Sequence, residues 1–128
     1  MDQRRSSTSI ITATRVCSAS EIIGQSVVNP EGESLGKIND LAIDGDAGRV
    51  AYAVLSFGGF LGMGDKLFAI PWSALERSTE DNRLTLDANK ERLKNAPGFD
   101  RNNWPDFSDR SWGSQIHTYY GRTAYWEQ

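Results

Sequence analysis

Cys17 and His117 are the only cysteine and the only histidine of the chain, and they are the side chains best suited to nucleophilic or acid–base work. A thiol paired with an imidazole makes a nucleophile, and wide separation in sequence does not forbid contact in the fold. No nucleophile or oxyanion-hole motif accompanies the pair. A zinc site draws about four ligands from His, Cys and acidic residues, and one histidine with one distant cysteine does not supply them. Cys17 therefore reads as a small apolar filler. His117, within Ile116-His117-Thr118-Tyr119-Tyr120, reads as a packed, hydrogen-bonded ring whose charge change near pH 6.5 would make its surroundings pH-sensitive. The expectation is a chain that is not an enzyme, with no catalytic residue, no metal and no cofactor.

Two further spacings imitate ligand sites. Gly59 to Gly64 resembles a phosphate-binding loop in glycine content, but Asp65-Lys66-Leu67 follows where such a loop needs Lys-Ser/Thr and a helix. It reads instead as a wide turn that leaves Phe60, Leu61 and Met63 available to a partner. Asp44-x-Asp46-x-Gly48 opens like a calcium loop, yet lacks the closing bidentate glutamate and runs straight into a strand. A hairpin turn explains it better.

Aromatic residues gather at the end of the sequence. Phe99, Trp104, Phe107, Trp112, Tyr119, Tyr120, Tyr125 and Trp126 are eight of the thirteen aromatics, while Ile116 is the only Ile, Leu or Val after residue 98. Such a segment cannot build a core of its own, so it must dock along a scaffold or onto a second copy of the chain. Arg101, Arg110 and Arg122 are outnumbered there by Asp100, Asp106, Asp109 and Glu127, which argues against a stacking platform for single-stranded nucleic acid. Trp104, Trp112, Tyr119 and Tyr120 join Phe60, Leu61 and Met63 as candidate partner contacts. Trp72, Trp104 and Tyr119 are candidates to line a ligand cleft between scaffold and tail.

The scaffold itself is ordinary in composition. The chain has 128 residues, 38% of them hydrophobic, and a net charge of −3. Its pI of about 5.1 argues against a nucleic-acid binder working through bulk charge. No run of apolar residues is long enough to span a membrane as a helix, and a lone cysteine asks for no oxidising compartment. The expected location is cytoplasmic.

Alternation and turn residues place the elements. A single helical turn is expected at Ser20–Gly24 and a strand at Gln25–Asn29. A turn at Asn29–Glu33 leads to a strand at Leu35–Asp44 whose imperfect alternation suggests a bulge. Arg49–Gly58 is the strongest strand, apolar on both faces and so covered on both sides. On it Val50, Tyr52, Val54 and Ser56 should face one way, and Ala51, Ala53, Leu55 and Phe57 the other. Lys66–Ile70 is a strand stopped by Pro71, with a tight helical turn after it. Arg83–Asp87 is a last short strand, and Ala88–Asn95 a helix ended by Pro97-Gly98. Five short strands with almost no helix between them predict a mainly β fold, a small antiparallel barrel. Its expected divisions are a flexible leader over 1–18, the barrel over 19–87, and a short helix plus aromatic extension over 88–128.

In order along the chain, Ile23-Gly24, Leu35-Gly36-Lys37-Ile38, Leu41-Ala42-Ile43-Asp44 and Gly48 to Ser56 resemble the PRC-barrel domain. The loop from Gly58 to Lys66 and Phe68-Ala69-Ile70-Pro71-Trp72-Ser73-Ala74-Leu75 continue the resemblance, which covers about Ser20 to Leu86. The family includes the cytoplasmic domain of the photosynthetic reaction-centre H subunit and the C-terminal domain of a ribosome maturation factor; this chain resembles its stand-alone bacterial members. The resemblance implies a small β-barrel that docks proteins without catalysis, here expected as a homodimer that also receives a protein partner. A small-ligand domain and a peripheral, reaction-centre-like accessory role are the alternatives.

Overall fold

The computed structural model describes residues 16–57, 66–78, 81 and 83–128. Most of the leader expected over 1–18, and the whole Gly58–Asp65 loop with Phe60, Leu61 and Met63, lie outside the described residues. The elements run α1 (Ala19–Ile22), β1 (Ser26–Val28), β2 (Ser34–Asp44), β3 (Arg49–Ser56) and β4 (Lys66–Pro71). A 3-10 turn (Trp72–Ala74) precedes β5 (Leu75–Arg77), β6 (Leu84–Leu86), α2 (Lys90–Lys94), β7 (Phe99–Asp100) and α3 (Arg110–Tyr119), and a second 3-10 turn (Tyr125–Glu127) follows.

The strands form one curled sheet in the order β5-β6-β1-β2-β3-β4-β7. The fold is mainly β, a half-barrel with a few short helices. All its pairings are antiparallel except β1 with β6, which run parallel. Two strands exceed the expected five: β5 has three residues and β7 two, too short for alternation to show.

Three irregularities in register explain the mixed pattern of β2 and β3. Leu35 is an extra residue against β1, and Asn39 an extra residue against β3. Each inserted residue reverses the phase of the strand. Leu35, Ile38 and Leu41 therefore all reach the main core, although strict alternation would split them. Ala51 is the extra residue on β3 where Ala42 pairs with Tyr52 and Ile43 with Val50. This moves Ala51 into the same cluster as Tyr52, away from Ala53, Leu55 and Phe57.

Burial occurs on both faces of the sheet, as the double apolar pattern of β3 requires. The main core gathers Val27, Leu35, Ile38, Leu55, Phe68, Ile70, Leu84, Leu86 and Leu93. Full burial of each such side chain is worth about 1.5–3 kcal/mol against exposure. A second cluster holds Ala42, Ala51, Tyr52, Ala69 and Ile116, with Phe99, Phe107, Trp112 and Tyr125 packed against it. The aromatic tail thus docks on its own sheet: β7 adds a strand beside β4, and α3 lies against the second cluster.

The helix α3 is absent from the sequence expectation because Ser111, Gly113, Ser114 and Thr118 are weak helix formers. Its start is fixed by Asp109, whose carboxylate accepts from the backbone N–H groups of Ser111 and Trp112 at 2.9 and 3.4 Å. Such a cap satisfies two donors the first turn would otherwise leave open.

Candidate functional site

The chemistry-bearing residues of the tail converge on Tyr52, which is fully buried in β3. Ring centroids of Trp112, His117, Tyr125 and Phe107 stand at 5.3, 5.4, 5.7 and 6.1 Å from that of Tyr52. These are edge and tilted contacts, the geometry aromatic quadrupoles favour. Burial, reinforced by the neighbouring Tyr125, pushes the Tyr52 phenol well above the ordinary tyrosine range. Its hydroxyl has no hydrogen-bond partner among the described residues.

His117 is likewise buried, on α3, and both ring nitrogens are committed to the backbone. Nδ1 lies 2.8 Å from the carbonyl oxygen of Gly113, and Nε2 accepts from the Tyr125 N–H at 3.2 Å. Cys17 sits elsewhere, against the main core, where the Arg77 guanidinium reaches its sulfur at 3.5 Å. The thiol and the imidazole thus belong to different clusters. Among the described residues no group of three or more His, Cys, Asp or Glu is arranged to hold a metal ion.

Asp44 caps the β2–β3 turn as a hairpin device. Its carboxylate accepts from the backbone of Asp46 and Ala47 at 3.2 and 3.3 Å and pairs with Arg49 at 3.3 Å. The Ala47 N–H, aided by Arg49, holds this carboxyl below the usual carboxylate range. Arg49 also donates to the carbonyl oxygen of Tyr125 and lies 5.8 Å from the centroid of its ring. One arginine therefore ties the hairpin to the end of the tail.

Two clefts flank this junction. The larger, about 560 Å³, is lined by Ile43, Asp44, Asp46, Arg49, Arg110 and aromatic rings that include Tyr125 and Trp126. Arg110 lies 5.1 Å from the Trp126 ring centroid, a cation–π contact. Neither Asp46 nor Arg110 has an ion-pair partner among the described residues. Ile43, 58% exposed, stands beside them. The smaller cleft, about 310 Å³, lies between barrel and tail and is lined by Trp72, Ser73, Arg49, Val50, His117 and Tyr125.

The candidates named from sequence are distributed as follows. Trp72 lines the smaller cleft, whereas Trp104 and Tyr119 line neither. Trp104 packs on Phe99 and Phe107 at 5.2 and 6.0 Å, and its indole N–H donates to the Arg101 carbonyl. Trp112 packs within the chain on Tyr52 and Phe107. Tyr119 donates its hydroxyl to the Arg92 carbonyl and lies under the Arg92 guanidinium, tying α3 to α2. Tyr120 bridges the two clusters. Ile43, Asp46, Arg49 and Arg110 were not among the candidates. No local signal marks them, because Arg49 meets Tyr125 across 76 residues of sequence.

The half-barrel with its paired β2–β3–β4 meander defines a class of small β domains, and comparison with known families agrees. The family model for the PRC-barrel domain matches residues 15–93, and the chain belongs to that family. No curated protein matches the chain. Among the described residues no helix is long and apolar enough to cross a membrane.

Proposed function

We propose that this PRC-barrel chain is a non-catalytic docking module that works as a homodimer and presents the paired barrels to a protein partner. The observation that supports this reading is the surface around Ile43. A large aliphatic side chain is 58% exposed at the end of β2, beside an acid, Asp46, and a base, Arg110, that have no ion-pair partner among the described residues. An apolar anchor with a charged rim is the usual anatomy of a contact surface. A patch that carries both signs is also self-complementary: under a twofold axis Asp46 of one copy can face Arg110 of the other.

The test is the mass in solution by light scattering, across a range of concentrations, for the full chain and four variants. Ile43→Asp should yield monomer with an unchanged circular dichroism spectrum. Asp46→Arg and Arg110→Asp should each weaken association, and the two together should restore it. A chain that is monomeric at every concentration, or a dimer indifferent to Ile43→Asp, would overturn the homodimer at this surface.

A second reading is favoured by the smaller cleft. Its volume and its Trp72–His117–Tyr125 lining suit a small ligand held between barrel and tail. Saturable quenching of tryptophan fluorescence by one metabolite, lost in Trp72→Phe, would support it. A blank screen would count against it.

A further inference from the structure

We propose that His117 is a protonation-sensitive latch: neutral, it holds the C-terminal turn Tyr125–Glu127 against the second cluster, and charged, it releases that turn. This inference does not depend on the docking reading.

The donors and acceptors around the ring fix its tautomer. A carbonyl oxygen can only accept, so the 2.8 Å contact from Gly113 requires the proton on Nδ1. A backbone N–H can only donate, so the Tyr125 contact at 3.2 Å requires the lone pair on Nε2. The two partners together specify one neutral tautomer. A proton added to Nε2 would set two donors face to face in a ring that is only 2% exposed, where an unpaired charge is costly.

The groups that face His117 offer no relief in place. From β3 come the Tyr52 ring and Arg49, and from the turn after β4 come Trp72 and Ser73. From the C-terminal turn come the rings of Tyr125 and Trp126, at 5.9 and 5.8 Å, with Glu127 exposed beyond them. Arg110, at the start of α3, covers Trp126 from outside. Asp44, joined to this junction through Arg49, is engaged with that arginine and the hairpin backbone, and among the described residues no carboxylate hydrogen-bonds to the imidazole. Arg49 adds a like charge on the cleft that His117 lines. The group able to move is the turn itself, whose other ties are the Arg49 bond to the Tyr125 carbonyl, the two cation–π contacts, and the packing of Tyr125 on Tyr52 and of Trp126 over Gly113.

The sign follows. With Nε2 committed as an acceptor, the latched ring binds one proton fewer than a charged imidazole, and free imidazole has a reference value of about 6.5. Latching is therefore full above that range and weakens as pH falls through it, by up to about tenfold per unit. Release would remove Tyr125 from both clefts at once, and with it an acceptor for Arg49.

Amide hydrogen exchange of Tyr125 by NMR, corrected for intrinsic rates, tests the latch. Between pH 7.5 and 5.5 its protection should fall by up to about tenfold, while that of Tyr120, bonded to Ile116 within α3, should hold. His117→Phe, which fills the site and cannot titrate, should show no such pH dependence. Constant protection in the unsubstituted chain, or the same fall in His117→Phe, would overturn the proposal. Ring nitrogen shifts of the unsubstituted chain decide independently of how that variant folds. The latch requires a proton on Nδ1 and a bare Nε2 at pH 7.5, with protonation of Nε2 coincident with loss of the Tyr125 bond. A proton on Nε2 at pH 7.5, or a charged ring with Tyr125 still protected, would also overturn it.

Discussion

Gly113→Ala should fail to stabilise the protein, although alanine is the better helix former by about 1 kcal/mol in the interior of a helix. A Cβ added there would stand 2.6 Å from the Tyr52 hydroxyl oxygen and 3.0 and 3.1 Å from two ring carbons of Trp126. Tyr52 cannot swing aside, because Phe107, Trp112, His117 and Tyr125 enclose its ring. Overpacking of this kind costs about 1–3 kcal/mol, so the net effect is a loss of about 0–2 kcal/mol. The decisive measurement is a double-mutant cycle with Tyr52→Phe. That change deletes the clashing oxygen, which is itself buried without a partner, so alone it should be neutral or stabilising by about 1 kcal/mol. In the double variant the helix gain remains and the worst contact is gone. Its stability should exceed the sum of the two single effects by about 1 kcal/mol or more. Urea unfolding followed by tryptophan fluorescence supplies all four free energies. Additivity within about 0.5 kcal/mol would refute the close approach of α3 to Tyr52.

Two further outcomes follow from buried groups. Burial holds the phenols of Tyr52 and Tyr120 neutral above the ordinary tyrosine range, whereas an unfolded tyrosine ionises near pH 10. Above about pH 10 the folded state therefore keeps protons that the unfolded state loses, and stability falls as pH rises, by up to about 1.4 kcal/mol per unit for Tyr52. Urea midpoints between pH 9.5 and 11.5 should drop less steeply in Tyr52→Phe, and equal slopes would contradict the assignment. Gly36→Ala should cost about 3 kcal/mol or prevent folding. Gly36 has φ +130°, and an added Cβ would stand 2.1 Å from the Ser56 carbonyl oxygen on the paired strand. A thermal melt displaced by only a few degrees would show that this strand contact is looser than described.

What could be read from residues alone depended on whether the cause was local. Asn29-Pro30-Glu31-Gly32 and the Asp44–Gly48 segment carry their turn chemistry within a few residues, and both form turns. The double apolar face of β3 and the stop at Pro71 were likewise visible. The bulges were only half visible: imperfect alternation in β2 announced one, but the places of Leu35, Asn39 and Ala51 are set by pairing partners. The parallel β1–β6 pairing joins segments far apart, with nothing in either to give its direction. The helix α3 was hidden because its stability comes from Asp109 and from packing against Tyr52 rather than from propensity. The Arg49–Tyr125 and Arg92–Tyr119 ties were hidden for the same reason, since tertiary contacts leave no spacing to count.

The family match ends at residue 93, yet the packing continues past it. Tyr52 lies inside the matched stretch and is nonetheless covered by Phe107, Trp112, His117 and Tyr125, all outside it. β4 also takes β7 from the tail as a neighbouring strand. A chain cut after α2 would uncover Tyr52, Ala69 and the pairing edge of β4 together. Exposed aromatic surface beside an open strand edge is an association hazard. Oligomers of such a truncation would therefore report the loss of an internal cover and would not identify a native interface. This is why the interface test belongs on the full chain, through Ile43, Asp46 and Arg110. Within the tail, Trp112 packs on Tyr52 and Tyr119 ties α3 to α2, while the last turn, held by His117 and Arg49, borders both clefts.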